Sequence, residues 1–183
     1  MSKEILVNYE KCLGCRSCEI ACAVAHSQAA TLVGAVLNNE KPLKRIFVNQ
    51  VRDKKIPLSC RHCEEAPCID ACIAGAMHRT SEGVVTNEGG IHECSGCWMC
   101  VMVCPYGVIR SLPDRRKAVK CDRACFDETD EPACVRACPT GALSYVTVDQ
   151  YGQSKRYGFL FEAFSTIISN LSKEESDGKE ECR

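Results

Sequence analysis

The run from Cys94 to Pro105, CSGCWMCVMVCP, spaces Cys94, Cys97, Cys100 and Cys104 as C-x2-C-x2-C-x3-C and closes on a proline. Three thiolates at intervals of two residues can wrap one tight loop around a compact inorganic core. The fourth, set off by three residues, points away and can serve a second core. This is the bacterial spacing for a cubane [4Fe–4S] cluster. Structural zinc sites pair two C-x2-C units across a longer spacer, a pattern this run does not have.

The same arrangement recurs along the chain. Cys12, Cys15, Cys18 and Cys22 repeat the C-x2-C-x2-C-x3-C spacing. Cys60, Cys63, Cys68 and Cys72 follow with C-x2-C-x4-C-x3-C, where Pro67 turns the enlarged loop. Cys121, Cys125, Cys134 and Cys138 form the least regular group, C-x3-C-x8-C-x3-C-P, ending on Pro139. Four groups of four supply ligands for four clusters. Cys182, in the charged tail KEESDGKEECR, is left over and is read as a non-ligand in a segment expected to be disordered at its end.

There are 17 cysteines in 183 residues, a density that means a disulfide scaffold or metal. MSKEILVNYEK carries neither an apolar stretch nor a small-residue cleavage site, so no secretory signal is expected. No apolar run approaches the roughly 18 residues needed to cross a bilayer. The cysteines are therefore expected to be reduced metal ligands in a cytoplasmic protein that does not itself span a membrane. Clusters also change the charge. The formal net charge is −1, but each oxidised cluster with its four thiolates contributes about −2, taking the loaded chain to roughly −9. The basic stretches Lys41 to Lys55 and Arg115 to Arg123 are accordingly read as internal charge balance. They lack the interleaved aromatics of a nucleic-acid surface, so no nucleic-acid partner is expected.

Between the groups the chain reads as short β structure. Strand candidates are Ile5-Leu6-Val7 and Ile46-Phe47-Val48. One hairpin is expected over Ala76 to Thr86 around Ser81-Glu82-Gly83, and another from Val108-Ile109-Arg110 to Ala118-Val119-Lys120 around Leu112-Pro113-Asp114. Ala23 to Leu37 is expected to be partly helical and packed on the clusters. Gly75, Gly107 and Gly141 each fall three residues after the last cysteine of a group, where a missing Cβ allows close backbone approach. Trp98 and Met99 are read as packing that keeps water from a cluster. His26, His62, His78 and His92 are assigned hydrogen-bonding or surface roles, since sixteen cysteines already satisfy four clusters. Beyond the last group, Leu160, Phe164, Ile167, Ile168 and Leu171 mark one face of a helix over Phe159 to Leu171, to be buried on the body or on a partner. No GxGxxG, P-loop, HExxH or GxSxG motif is present, so no catalytic residue is expected.

Taken together, the four groups, the x4 loop of the second and the CPTGAL closing the fourth resemble the four-cluster ferredoxin-like electron-transfer subunits. These serve molybdenum and tungsten oxidoreductases, formate dehydrogenase and hydrogenase assemblies, and carbon monoxide dehydrogenase. The likeness covers roughly Ile5 to Val148. CLGCRSCEIACAVAHS, RHCEEAPCIDACIAGAM and GVVTNEGGIHECSGCWMCVMVCPYGVIR are most similar to the members that serve carbon monoxide dehydrogenase. One departure is the C-x3-C of Cys121 and Cys125, where the family usually has C-x2-C. The resemblance implies a non-catalytic relay of four [4Fe–4S] clusters in an α+β fold of two nested bacterial-ferredoxin-like modules with a C-terminal helix. The implied partners are a catalytic oxidoreductase, first of all carbon monoxide dehydrogenase, and a downstream hydrogenase or flavin-dependent NAD(P) oxidoreductase. The alternatives are the equivalent relay in a formate dehydrogenase or hydrogenase complex and, from a different class, a zinc-stabilised binding module.

In two-cluster ferredoxins the fourth cysteine of each group ligates the other group's cluster. Residues 1–59 with 105–150 would then form one discontinuous module from groups one and four. Residues 60–104 would form an inserted module from groups two and three, and 151–183 the helix and tail. The expected sets are Cys12, Cys15 and Cys18 with Cys138; Cys121, Cys125 and Cys134 with Cys22; Cys60, Cys63 and Cys68 with Cys104; and Cys94, Cys97 and Cys100 with Cys72. The competing scheme pairs the first group with the second and the third with the fourth.

Overall fold

The computed structural model describes residues 3–112, 116–126 and 128–177, with side chains of the last helix described through Thr166. Among the described residues eight strands pair into four separate antiparallel two-stranded ladders, and six α-helices lie between and after them. The ladders are short because a cysteine loop interrupts the chain before a larger sheet can grow. β1 (Glu4–Val7) pairs with β8 (Leu143–Val146), so the strand before the first cysteine group meets the strand after the fourth. β2 (Ile46–Val51) pairs with β3 (Lys54–Ser59), β4 (His78–Arg79) with β5 (Val85–Thr86), and β6 (Arg110–Leu112) with β7 (Lys117–Val119).

Two apolar cores result. In the first, Ile5, Ile46, Val48, Val135 and Leu143 surround Cys18, Cys22 and Cys134, with Cys12 and Cys138 against its edge. In the second, Ala66, Met77, Val85, Ile109 and Ala118 surround Cys100, with Cys68, Cys72, Cys94 and Cys104 at its edge. Helix α1 (Ser17–Ala25) packs on α5 (Ala133–Arg136), and α3 (Pro67–Asp70) on α4 (Met99–Val103). Each core thus combines groups one with four or two with three. Ile109 and Ala118, which follow Cys104 in the chain, bury in the second core. The second hairpin accordingly runs as Arg110–Leu112 with Lys117–Val119, two residues later on its first strand than the sequence suggested. Of its expected turn, Pro113 and Asp114 lie outside the described residues.

Helix α1 is fixed to β2 by Glu19, which is buried although charged. One carboxylate oxygen accepts from the Val48 N–H at 2.7 Å, and the other meets Lys44 Nζ at 2.7 Å. Replacing Glu19 with Ala strands a buried N–H and removes the anion facing Lys44, which is itself about one-third exposed. We expect Glu19→Ala to destabilise by about 2–3 kcal/mol in chemical denaturation and Glu19→Gln, which keeps the acceptor, by about 1 kcal/mol.

Two helices depart from expectation. The stretch after Cys22 is not one packed helix. Thr31, whose hydroxyl accepts from the Gly34 N–H, starts a separate α2 (Leu32–Leu37). That helix buries Ala35 and leaves Leu32, Val33, Val36 and Leu37 exposed. The final helix, α6 (Val148–Asp177), starts eleven residues earlier than its apolar face indicated. Thr147 and Gln150 form a reciprocal capping box: the Gln150 N–H donates to the Thr147 hydroxyl, and the Thr147 N–H donates to Gln150 Oε1. Gly152 and Gly158, poor helix formers, concealed this start. Leu160 and Phe164 are exposed, and the side chains of Ile167, Ile168 and Leu171 lie outside the described residues. Cys182 also lies outside them. No helix among the described residues is long and apolar enough to cross a membrane.

Candidate iron–sulfur centres

The first two cysteines of each group precede a short helix, the third is that helix's second residue, and the fourth lies just past its end, except Cys22, which lies within α1. The two regular groups share one backbone recipe. Gly14 and Gly96, two residues after the first cysteine, have φ of +73° and +69°. Arg16 and Trp98, directly after the second cysteine, adopt φ of +61° and +64°. These reversals curl the chain so that successive sulfurs face one centre. At Gly96 the space is also closed: a Cβ there would lie 2.5 Å from the Arg116 carbonyl oxygen. At Gly14 it would meet only the flexible Lys55 side chain. We expect Gly96→Ala to cost about 2–4 kcal/mol in thermal unfolding and Gly14→Ala about half that. Gly75, Gly107 and Gly141 take φ of +64°, +61° and +61°, and each donates its N–H to the carbonyl of its group's last cysteine. Their glycine is required by the left-handed turn that swings the chain away after that cysteine.

Around one cavity of about 350 Å³ the structure gathers Cys60, Cys63, Cys68 and Cys104, with His62 and Pro67. A second cavity, of about 310 Å³, is lined by Cys72, Cys94, Cys97 and Cys100, with Trp98 and Met77. The fourth cysteine of each group has therefore crossed to the other group's loop. In the first core, Cys22 and Cys134 are buried together, and the sulfurs that raise the Cys134 pKa through their charge are Cys121, Cys125, Cys22 and Cys18. Cys18 in turn feels Cys138 and Cys15. In the fourth group Arg123, two residues after Cys121 as Gly14 is after Cys12 and Gly96 after Cys94, takes a φ of +55°.

The sulfurs are embedded differently. Burial pushes Cys18 and Cys100 up to about 11 and Cys121 up to about 12, and raises Cys134 as well. Such groups stay thiols until a metal displaces the proton, so metal binding releases protons here. Cys15 is exposed and held below the ordinary thiol range by hydrogen bonds from Ser17. At Cys138 burial is outweighed by the Leu143 N–H and the Thr140 hydroxyl, and its pKa falls. Backbone N–H groups also point at sulfur. Arg45 donates to Cys22 at 3.2 Å, Met77 to Cys72 at 3.3 Å, His62 to Cys60 at 3.5 Å and Ala118 to Cys94 at 3.5 Å. Such bonds favour the more reduced state of a cluster.

Further polar residues, which the spacing of cysteines did not single out, frame the centres. Arg79 donates to the carbonyls of His62, Cys63, Glu64 and Gly83, stitching the enlarged second loop to its hairpin. Asp122 bridges Arg45 and His26, whose Nδ1 lies 2.7 Å from the Cys22 carbonyl oxygen. Burial alone would lower the His26 pKa, but Asp122 and Cys22 reverse this and raise it to about 9. His62 goes the opposite way, pushed down to about 3 by burial and by the charges of Lys120 and Arg123. Neutral His62 accepts from the Val85 N–H at Nδ1, so its proton is on Nε2, and that buried atom has no protein partner. His62 lines the same cavity as Cys60, Cys63, Cys68 and Cys104. A donor left over beside four thiols fits a group that brings its own acceptors, as the inorganic sulfides of a cluster do. His78 and His92 lie apart from this network: His78 bonds the Ala76 carbonyl, and His92 is exposed.

A 4Fe-4S dicluster domain family matches residues 51–148, and a 4Fe-4S binding domain matches residues 9–25. The chain belongs to the 4Fe-4S dicluster family. Within that setting it is similar to an iron-sulfur protein of Rhodospirillum rubrum, 40% identical over 162 residues that cover 80% of this chain and 83% of the relative. It is 36% identical over 178 residues to the electron transport protein HydN of Escherichia coli, covering 85% and 96%. It is 30% identical over 165 residues to the B subunit of the anaerobic dimethyl sulfoxide reductase of Escherichia coli, covering 84% and 77%. The family membership establishes an iron–sulfur electron transport protein with 4Fe-4S binding domains.

Proposed function

We propose that the chain relays single electrons through four [4Fe–4S] clusters between a catalytic oxidoreductase and a separate acceptor, and has no catalytic site of its own. The proposed ligand sets are Cys12, Cys15, Cys18 and Cys138; Cys121, Cys125, Cys134 and Cys22; Cys60, Cys63, Cys68 and Cys104; and Cys94, Cys97, Cys100 and Cys72. When bound, each cluster takes up and releases one electron. The observation that carries the reading is the order of the sulfurs. The charge of Cys18 acts on Cys134, that of Cys60 on Cys121 and that of Cys68 on Cys100, which supports an order of the four sets in one file. Among the described residues the exposed cysteines are Cys15 and Cys97, which fall in the two terminal sets. An electron would enter at one end and leave at the other.

The same geometry weighs against a zinc module. A four-thiolate zinc ion needs sulfurs about 2.3 Å from one point. Among the described residues no three His, Cys, Asp or Glu side chains converge to hold a single ion, and the thiols surround cavities instead.

Carbon monoxide dehydrogenase is the first catalytic partner we propose, on the wording between the cysteines. The likeness to HydN and to the dimethyl sulfoxide reductase B subunit favours a second reading, the equivalent relay for another oxidoreductase such as formate dehydrogenase or hydrogenase. A hydrogenase or a flavin-dependent NAD(P) oxidoreductase would take the electrons. Mixing the anaerobic loaded protein with catalytic amounts of carbon monoxide dehydrogenase and carbon monoxide should bleach its visible absorption. Bleaching with formate and formate dehydrogenase alone would move the assignment to the second reading, and bleaching with neither would remove both.

A further inference from the structure

Between the second and fourth cysteine groups lies a buried basic cluster that the ligand pattern does not explain. Lys120 is 2% exposed and Arg123 7%. Arg123 is neutralised by Glu4, with which it forms an ion pair. Lys120 is not. Its Nζ donates to the carbonyl oxygens of Val85 and Cys121, the latter at 3.3 Å, and among the described residues it meets no carboxylate. An ammonium taken out of water without a counter-charge is strongly disfavoured.

Where the counter-charge lies follows from what Lys120 influences. Val85, whose carbonyl oxygen it holds, lines the cavity of Cys60, Cys63, Cys68 and Cys104, and the Lys120 charge acts on Cys68 and His62 there. Lys120 immediately precedes Cys121, which in turn senses Cys60. Lys120 therefore stands between the cavity of Cys60, Cys63, Cys68 and Cys104 and the site of Cys121, Cys125, Cys134 and Cys22. These are the two central members of the file. The backbone around it is costly as well. His62 and Arg123 hold φ of +47° and +55° at the positions where the two terminal groups have Gly14 and Gly96. Bulky residues in that region cost roughly 1–2 kcal/mol each, and such strain concentrates at functional sites. Here His62 lines the cavity of Cys60, Cys63, Cys68 and Cys104, and Arg123 lies two residues after Cys121.

We infer that Lys120 is a positioning residue for electron transfer: its ammonium is the shared counter-ion of the two central clusters and raises both of their reduction potentials relative to the terminal pair. Each central cluster with its thiolates carries about −2 when oxidised and −3 when reduced. A fixed positive charge beside both stabilises the added electron on either. The terminal sites, near exposed Cys15 and Cys97, have water to do this instead. The inference rests on the four-cluster reading and is separable from it, because iron and sulfide content are measured first.

The test is a redox titration, followed by electron paramagnetic resonance, of the anaerobically purified full chain and three variants. Lys120→Met removes charge and donor, Lys120→Gln keeps a donor, and Lys120→Arg keeps the charge. In Lys120→Met and Lys120→Gln, two of the four one-electron steps should fall by a tenfold or larger change in equilibrium constant, at least 59 mV. The other two should hold within threefold, and Lys120→Arg should restore the pattern. Four loaded clusters with unmoved steps would overturn the inference, as would a uniform shift of all four. Met and Gln variants that take up no iron would assign Lys120 a folding role and overturn it equally. An unaltered chain without sulfide would instead remove the four-cluster reading beneath it.

Discussion

Removing the iron anaerobically with a chelator is expected to abolish the fold along with the colour. Both apolar cores are assembled around cysteine. Cys18, Cys22 and Cys134 are among the buried members of the first, and Cys100 of the second, while the strands between are only two to six residues long. Isolated two-stranded ladders of that size are marginal in water. Metal binding to small structural centres contributes on the order of 10–16 kcal/mol apparent, against a total stability of roughly 5–15 kcal/mol for an ordinary domain. Several such centres outweigh everything the thin apolar cores contribute. Far-ultraviolet circular dichroism of the chelated protein should show loss of ordered structure except in helical segments, with no cooperative melt. A chelated chain that still melts cooperatively would mean the cores stand without clusters.

The second large effect concerns which cysteines act together. Two ligands of one cluster are a unit, so replacing both should lose no more iron than replacing one, whereas ligands of different clusters should add. Cys72→Ser with Cys97→Ser is expected to leave about 12 irons per chain, three clusters of four. Cys72→Ser with Cys63→Ser is expected to leave about 8, because two clusters are lost. The same contrast holds for Cys22→Ser, combined with Cys125→Ser or with Cys15→Ser. Iron and sulfide analysis reads the outcome. The reverse pattern, with Cys72 grouping with Cys63 and Cys22 with Cys15, would show that each group keeps its own fourth cysteine.

Much of this molecule is legible in its cysteines, because ligand spacing is a local property. The CSGCWMCVMVCP run and its three relatives announce iron–sulfur loops, and a proline or glycine after them announces the turn out. The strand at Ile5-Leu6-Val7 and the hairpin around Ser81-Glu82-Gly83 are equally local, and both are observed. The features that were not legible join residues far apart in the chain. The hairpin partner of Ile46–Val51 was missed because Lys54–Ser59, KKIPLS, contains a proline and two lysines and lacks clean alternation. Pro57 is accommodated opposite Val48. Glu19 and Asp122 look like ordinary surface charges in the sequence, and Lys120 is one member of a basic stretch read only as general charge balance. Only the fold puts Glu19 on the Val48 N–H and sets Lys120 against Val85 and Cys121. The early start of the last helix is present in the sequence as Thr147-Val148-Asp149-Gln150, a capping signature masked by the poor helix formers Gly152 and Gly158 that follow it.

The central claim is a single file of four clusters in which groups one and four interlock at one end and groups two and three at the other. Diffraction from anaerobic crystals at the iron absorption edge tests it most directly. The account predicts four cubes in one line, with Cys22 bonded to the cube that holds Cys121, Cys125 and Cys134, and Cys104 bonded to the cube that holds Cys60, Cys63 and Cys68. Cys22 bonded to the cube of Cys12, Cys15 and Cys18, or single metal atoms in place of cubes, would contradict it.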